Sequence, residues 1–287
     1  MPFSGEPVLV TGAAGGIGQA VVRRLAGLGF TVYAGVRGPA PGLAGLDGVR
    51  IVEFDVTDAD SVAAAAIEIG EQAGGRLRAV VNNAGIIVQG PMELVPPAEL
   101  RRQFEVNVYG PVLVTQAMLP LLRAGRGRIV NVSAPTARTA VPFLALLSAS
   151  KAALESLSDA LRGEVAAFGI PVSVVEPGAT DTAIFAKAEK AAQQALATAD
   201  ADLLALYAPA LEALGRSTAN MKMGAVDGPA AAIVRAVTAD RPKARYLVGT
   251  EARAAGMISH LPPKTRTRMV MRVMGLRPSA QPVSRTR

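Results

Sequence analysis

Short apolar runs alternate along the chain with longer stretches in which alanine and leucine recur at three- and four-residue intervals. The runs Val8–Thr11, Thr31–Val36, Val49–Phe54, Ala79–Asn82, Arg128–Ser133 and Pro171–Glu176 are rich in valine and isoleucine, and Tyr246–Val248 is a seventh. Each has the length of a strand and is nearly uniformly apolar. That predicts burial on both faces, and hence a parallel sheet between layers of helices. Strand–helix alternation at this spacing is the pattern of a doubly wound α/β fold. The segment Gly38–Gly48, with four glycines and two prolines, reads as a surface loop. No linker divides the sequence, so residues 1–287 are expected to form one domain. Residues 182–223 break the alternation with an Ala-rich helical insertion. Placed after the sixth strand, it is expected to cover the carboxyl ends of the strands, where such folds bind ligands.

Composition narrows the chemistry. Half of the residues are hydrophobic and 18% are charged, enough for a sizeable core and unlike disordered, collagenous or coiled-coil chains. Cysteine is absent, which removes disulfides, thiolate nucleophiles and sulfur-ligated zinc. The single histidine, His260, excludes a His-rich metal centre and leaves little room for a His-dependent triad. No metal is expected, and His260 is read as part of a local turn. With no tryptophan and 4% aromatics, a base-stacking platform for single strands is not expected either. The first residues, MPFSGEP, lack a signal-peptide pattern. The longest uncharged run, 106–122, contains Asn107, Gln116 and two prolines and fails as a membrane span. A cytoplasmic protein without a transmembrane segment is the expectation.

The net charge of +7 is concentrated at one end. Residues 252–287, a basic C-terminal extension, hold eight Lys/Arg and no Asp/Glu, whereas the first 251 residues hold 22 basic and 23 acidic side chains. Such a distribution does not make a nucleic-acid-binding field, and no nucleic-acid partner is expected. Within the extension Met269–Leu276 carries a methionine stripe flanked by arginines, which suits packing on its own domain, or a partner, or an anionic membrane. The Pro/Ser/Arg segment 276–287 has little apolar surface and is expected to be dispensable for folding.

The first strand runs into a Gly-rich turn, Thr11-Gly-Ala-Ala-Gly-Gly-Ile-Gly18, which opens a helix. Glycine lets the backbone turn tightly and approach a pyrophosphate, whose charge the helix N-terminus stabilises, so a dinucleotide is the expected ligand. That turn, Asn82-Asn83-Ala84-Gly85, Asn107, the Lys151 helix and Pro177-Gly178 together resemble, in order, the signature of short-chain dehydrogenase/reductases with a Rossmann-type domain. The resemblance covers residues 5 to about 250. It implies that Gly12, Gly16, Ile17 and Gly18 line the pyrophosphate of NAD(P), Asp55 and Val56 the adenine, and Asn83, Ala84 and Gly85 the cofactor's centre. Pro177, Gly178 and Thr182 would approach the nicotinamide. The lesser alternatives are that Asn83–Gly85 merely end a strand and that Asp55 is a solvated loop acid. At the end of the second strand stands Arg37, with no acid beside it. An acid there would bind a ribose hydroxyl, whereas arginine suits a 2′-phosphate, so NADP(H) is favoured over NAD(H).

The family's catalytic positions depart from its pattern. Lys151 is present, opening the helical run Lys-Ala-Ala-Leu-Glu, and Asn107 lies forty residues before position 147. The family tyrosine, four residues before the lysine, is Leu147 here, and the serine thirteen residues before that is Ala134. Neither side chain can move a proton or donate a hydrogen bond. Ser133 and Ser148 are each one residue out of place, on the wrong face of a strand and about 100° round a helix.

Three functions stay open. One is an atypical enzyme acting on a hydrophobic small molecule, through hydride transfer to an iminium or enone or through non-redox isomerisation, cyclisation or elimination. The others are a non-catalytic scaffold or partner subunit, and an ordinary but slow NADP-dependent oxidoreductase. Asp181 and Tyr207 are candidate acids or bases within or beside the insertion, and both suit structural roles as well. Tyr109 is expected to pack. The apolar residues Ile184, Phe185, Leu203, Leu204 and Leu206 suit either a pocket or a core. By the resemblance, a homodimer or homotetramer forms through the helices beginning near Asn107 and Lys151.

Overall fold

In the computed structural model, which describes residues 3–219 and 222–276, seven strands form one parallel sheet in the order β3-β2-β1-β4-β5-β6-β7. The strands are β1 (Pro7–Thr11), β2 (Thr31–Val36), β3 (Val49–Glu53), β4 (Ala79–Asn82), β5 (Arg128–Val132), β6 (Val172–Pro177) and β7 (Arg245–Val248). The helices are α1 (Gly16–Gly27), α2 (Ala59–Gln72), α3 (Pro97–Phe104), α4 (Gly110–Ala124), α5 (Ala145–Glu164), α6 (Ala183–Ala197), α7 (Ala201–Ala219), α8 (Asp227–Thr238), α9 (Thr250–Ile258) and α10 (Pro263–Val273). The doubly wound α/β fold is as the hydrophobic pattern predicts.

Side chains alternate across each central strand, and each face builds its own core. Val8, Val10, Val32, Ala34 and Val81 pack on α1 (Val21, Val22, Leu25) and α8 (Ile233, Ala236, Val237). Leu9, Tyr33, Val80 and Ile129 point the other way, onto α2 (Val62, Ile69) and α4 (Val114, Met118, Leu122). The prediction of two-sided burial fails at the rims. In β3 only Val52 is buried, and β7 is half-buried throughout, because an edge strand has a neighbour on one side only. The 38–48 loop lies against the protein body: Ala40 and Leu43 are buried with the α1 core.

All seven strands point the same way, so their carboxyl ends share one edge, and there the chain makes its irregular turns. After β6 the chain leaves for α6 and α7 and returns through a single parallel bridge, Thr180 to Gly224, reinforced by Asp181 N–H to Gly224 O at 2.9 Å and Gly224 N–H to Ala179 O at 2.8 Å. Leu276, the last described residue, is buried. The segment 276–287, expected to be dispensable, therefore begins with a buried residue, and 277–287 lie outside the described residues. His260 sits exposed in a turn, its N–H bonded to Met257 O.

Candidate functional site

The Gly-rich turn is shaped by the chain's own packing before any ligand is considered. Gly12 has φ +62°, and a Cβ there would lie 2.7 Å from Ala84 Cα. At Gly18 it would lie 2.3 Å from Gly12 O. Only glycine fits either position. Asn83 locks the turn to the end of β4: its amide donates to Thr11 O at 2.9 Å and Gly12 O at 3.1 Å. Thr11 Oγ1 accepts the N–H groups of Asn83 and Ala84. Thr11 is a residue the motif contains and sequence reasoning passed over. Gly16 differs, since a Cβ there meets only side chains, chiefly Thr182 Cγ2 at 2.7 Å. Gly15, which has no side chain, caps α1, and the first turn, Gly16-Ile17-Gly18, carries no acid. A bare helix N-terminus behind a backbone turn fits an anionic pyrophosphate.

Beyond the end of β2, Arg37 lies 3.8 Å from Asp55, so the residue expected to meet a 2′-phosphate and the one expected beside adenine are neighbours. Burial opposes ionisation of Asp55, yet Thr57, donating from its N–H and its hydroxyl, and Arg37 together draw its carboxyl below the ordinary range. Arg37 itself is largely exposed. Val56 packs its methyls against Gly110, at the start of α4.

Asn107 lies in a π-helical turn, Glu105–Tyr109, that joins α3 to α4. Such turns widen the helix by one residue and recur at functional sites. Asn107 is wholly buried. It accepts from Ile86 N–H at 2.9 Å and donates to Ile86 O at 3.0 Å and Ser150 Oγ at 3.3 Å. Gln103 braces the same loop through Ile86 O, Val88 N–H and Ser150 Oγ. Neither Gln103 nor Ser150 was singled out from sequence, although Ser150 sits next to Lys151. Tyr109 is 54% exposed, not packed as expected, because it falls on the outer side of the turn.

Lys151 sits well inside α5, which begins at Ala145, so it does not open the helix. Its Nζ donates to Val132 O at 2.8 Å and faces Gly85. Burial pushes its pKa down to about 8 against the opposing pull of Glu155. Gly85, Asn107 and Lys151 thus converge at one point: a Cβ on Gly85 would lie 3.3 Å from Asn107 Oδ1 and 3.6 Å from Lys151 Nζ.

Leu147, one turn before Lys151, is buried with Ile87 and Ala188, and Leu144, Ile184 and Phe185 pack against them. Ile184 and Phe185 come from α6, so the insertion closes over this end of α5. Leu203 and Leu204 are half-buried and Leu206 is exposed. Ala134 follows β5 in extended backbone, just before the turn Pro135–Ala137. The two serines next to these positions are already engaged. Ser133 donates to Glu155 at 2.6 Å, and Ser148 donates to Leu144 O at 2.9 Å. Tyr207 donates to Glu93 at 2.7 Å, clasping α7 to the loop after β4, and Asp181 is exposed.

Pro177 ends β6 and pairs with Val248. A Cβ on Gly178 would lie 2.8 Å from Glu251 Oε2, so a carboxylate stands beside the expected nicotinamide position. Behind Lys151 lies a charged cluster without a local sequence signal. Arg245 bonds Glu155 at 2.5 Å and also Glu176, which is fully buried, and Arg138 approaches Glu176 at 4.0 Å. Burial, with the charge of Glu155 added, raises the carboxyl pKa of Glu176 against its bond to Arg245. Among the described residues no group of His, Asp and Glu could hold a metal.

Residues 6–193 match the family model described as short chain dehydrogenase. A 3-amino-tetrahydro-pyrrolizinone reductase of Xenorhabdus hominickii is 39% identical over 63% of this chain and 64% of its own length. An NADPH-dependent 3-dehydrocapnine reductase of Ornithobacterium rhinotracheale is 33% identical over 84% of this chain and 87% of its own. The crystal structure of a short-chain dehydrogenase from Burkholderia cenocepacia in complex with NADP superposes with TM-score 0.74 at 26% identity, covering 93% of this chain and 98% of that one.

Proposed function

The chain belongs to the short-chain dehydrogenase family of oxidoreductases, and from that premise we propose that it binds NADP(H) and acts on a hydrophobic small molecule whose reaction needs no tyrosine acid. The observation that carries this reading is the apolar cluster around Leu147, immediately beside the convergence of Gly85, Asn107 and Lys151. In our reading Leu147 and Ala134 hold the family's tyrosine and serine places. Losing a positioned acid and an oxygen-binding donor removes about 10²- to 10⁴-fold for the acid and a comparable factor for the donor. An unactivated ketone is therefore a poor substrate. An iminium carbon accepts hydride to give a neutral amine and needs no proton. An enone places its charge on a distant oxygen, and a non-redox isomerisation would use the same apolar wall. The pyrrolizinone reductase, named for a nitrogen heterocycle, agrees with the first of these.

The chain's residues have these parts. Gly12 to Gly18 and the N-terminus of α1 receive the pyrophosphate, Asp55 and Val56 flank the adenine, and Arg37 meets the 2′-phosphate. Asn83 to Gly85, Pro177, Gly178 and Thr182 surround the nicotinamide half. Asn107 holds the Ile86 backbone in place, and Lys151 grips the ribose. When bound, NADPH supplies the hydride. The NADP-bound structure and the NADPH-dependent relative support this cofactor.

One observation favours a second reading. Leu147, one turn before Lys151, is covered by Ile184, Phe185 and Ala188 of α6, as a nucleotide-bound scaffold without substrate would require. Association through α4 and α5 accords with the exposure of Tyr109, in the turn before α4, and of Leu157 on α5.

The test is calorimetric titration with NADPH and NADH, followed by NADPH oxidation with a cyclic iminium, a cyclic enone and the matching ketone. Tight NADPH binding with faster turnover of the iminium or enone is expected. Efficient reduction of the ketone would falsify the proposal, and NADPH binding without any turnover favours the scaffold.

A further inference from the structure

The C-terminal helices carry a surface that neither the fold nor the cofactor uses. Helix α10 exposes Met269 (41%) and Val273 (79%), and Met257 at the end of α9 is 71% exposed. Met269 and Val273 are four residues apart and form one stripe. Arg268 and Arg272 form the adjoining stripe, and Val270 on the opposite side is buried against the body. Between residues 252 and 276 the basic side chains are Arg253, Lys264, Arg266, Arg268 and Arg272, with no Asp or Glu. Among the described residues none of these five forms an ion pair.

We propose that the exposed apolar and basic stripes of α10 dock on a bilayer containing anionic lipid. A short helix with an apolar stripe beside a basic one lies in the plane of a membrane interface, the apolar side chains among the acyl chains and the arginines reaching the headgroups. Eleven residues are too few to span, so the contact is peripheral. Charge selects this occupant over the others. A second copy meeting the same face about a two-fold axis would set this uncompensated positive surface against itself. A nucleic acid would satisfy the arginines but leave Met257, Met269 and Val273 uncovered.

The surface is tied to the site. Thr139 donates to Ala255 O at 2.8 Å and Arg138 to Gly256 O at 3.5 Å, so α9 is pinned to the loop that starts at Ala134. At the other end of α9, Glu251 stands against Gly178. Docking through α10, whose Arg266 donates to Ser259 O just after α9 at 3.1 Å, therefore holds the rim of the site near a lipid surface.

The experiment is co-sedimentation of the full chain with phosphatidylcholine vesicles, with and without about one third phosphatidylglycerol, at low and high salt. Binding is expected only with phosphatidylglycerol and is expected to fall with salt. Each interfacial arginine contributes roughly a fivefold factor, so Arg268→Glu with Arg272→Glu should weaken binding by at least about tenfold. Met269→Asp with Val273→Asp should weaken it similarly without lowering the melting temperature, since both side chains are solvent-facing. Equal sedimentation with neutral vesicles, or none by the folded protein, overturns the proposal. So does loss of an oligomer in the Asp variant by light scattering, which would give the face to a second copy. Salt-sensitive binding of duplex DNA that the Asp variant retains, without vesicle binding, overturns it too.

Discussion

Two single side chains carry tests of the cofactor reading. Arg37 is exposed and shares its position with Asp55, so its cost to stability is small and its contribution should appear in ligand preference. Arg37→Asp is expected to reduce the preference for NADPH over NADH by about tenfold, read by paired titrations, because a charge-assisted contact becomes a repulsion. An unchanged ratio removes Arg37 from the site. Lys151 allows a test without substrate. Its pKa falls from 10.5 in the unfolded chain to about 8 in the folded one. Between these values the unfolded chain binds more protons, so the contribution of Lys151 to stability rises with pH from about 8 to 10.5 and is lost on the way back down. Wild type should gain up to about 3 kcal/mol relative to Lys151→Met across that window, measured by denaturant unfolding. A flat difference would mean that the amine is not desolvated.

Elements are joined by polar contacts as well as by packing, and here the relation between sequence and structure divides. The strands were readable to within about a residue, because valine and isoleucine runs of strand length have few other uses. The edge character of β3 and β7 was not, since burial of a rim strand depends on what lies beside it. The cluster of Arg245, Glu155 and Glu176 joins β7, α5 and β6 across 69 to 90 residues, and no local spacing announces it. Similarly, Asn82 on β4 donates to Asn131 on β5 at 2.8 Å, and Asn131 donates to Ser158 on α5, a buried chain visible only once the sheet is assembled. Around the cofactor turn the motif did locate Gly12 and Gly18. The reason glycine is required there is Ala84 and the turn's own carbonyl, which a motif does not state. Arg245→Met leaves two carboxylates in a dry environment and is expected to cost about 3–5 kcal/mol at neutral pH. The deficit should shrink near pH 5 as Glu176, whose carboxyl pKa burial raises, takes up a proton, and adding Glu176→Gln should recover part of it. Chemical denaturation at the two pH values decides; an equal loss at both excludes the electrostatic cause.

At the scale of the molecule, the central question is how α6 and the end of α5 share the space beside Lys151. Ala134→Ser with Leu147→Tyr places a hydroxyl pair next to Lys151 and Asn107, but the larger ring must be accommodated under Ile184 and Phe185. The double variant should gain NADPH-dependent reduction of a simple ketone by tenfold or more. It should also lose about 1–3 kcal/mol to overpacking. Unchanged ketone activity in a variant that still binds NADPH means that our reading of these two places is wrong. Tolerance of such changes depends on how the excursion through α6 and α7 is attached. The Thr180–Gly224 bridge brings its two ends together at the sheet's rim, so the sheet's backbone meets the excursion as a closed loop, while α6 and α7 also touch the body through Leu147 and Glu93. Closing a longer or shorter loop alters the entropy only logarithmically, by about 0.6 kcal/mol per doubling. What hangs from that bridge can therefore change in length at little entropic cost to the sheet, provided that the contacts of α6 with Leu147 and of α7 with Glu93 are kept.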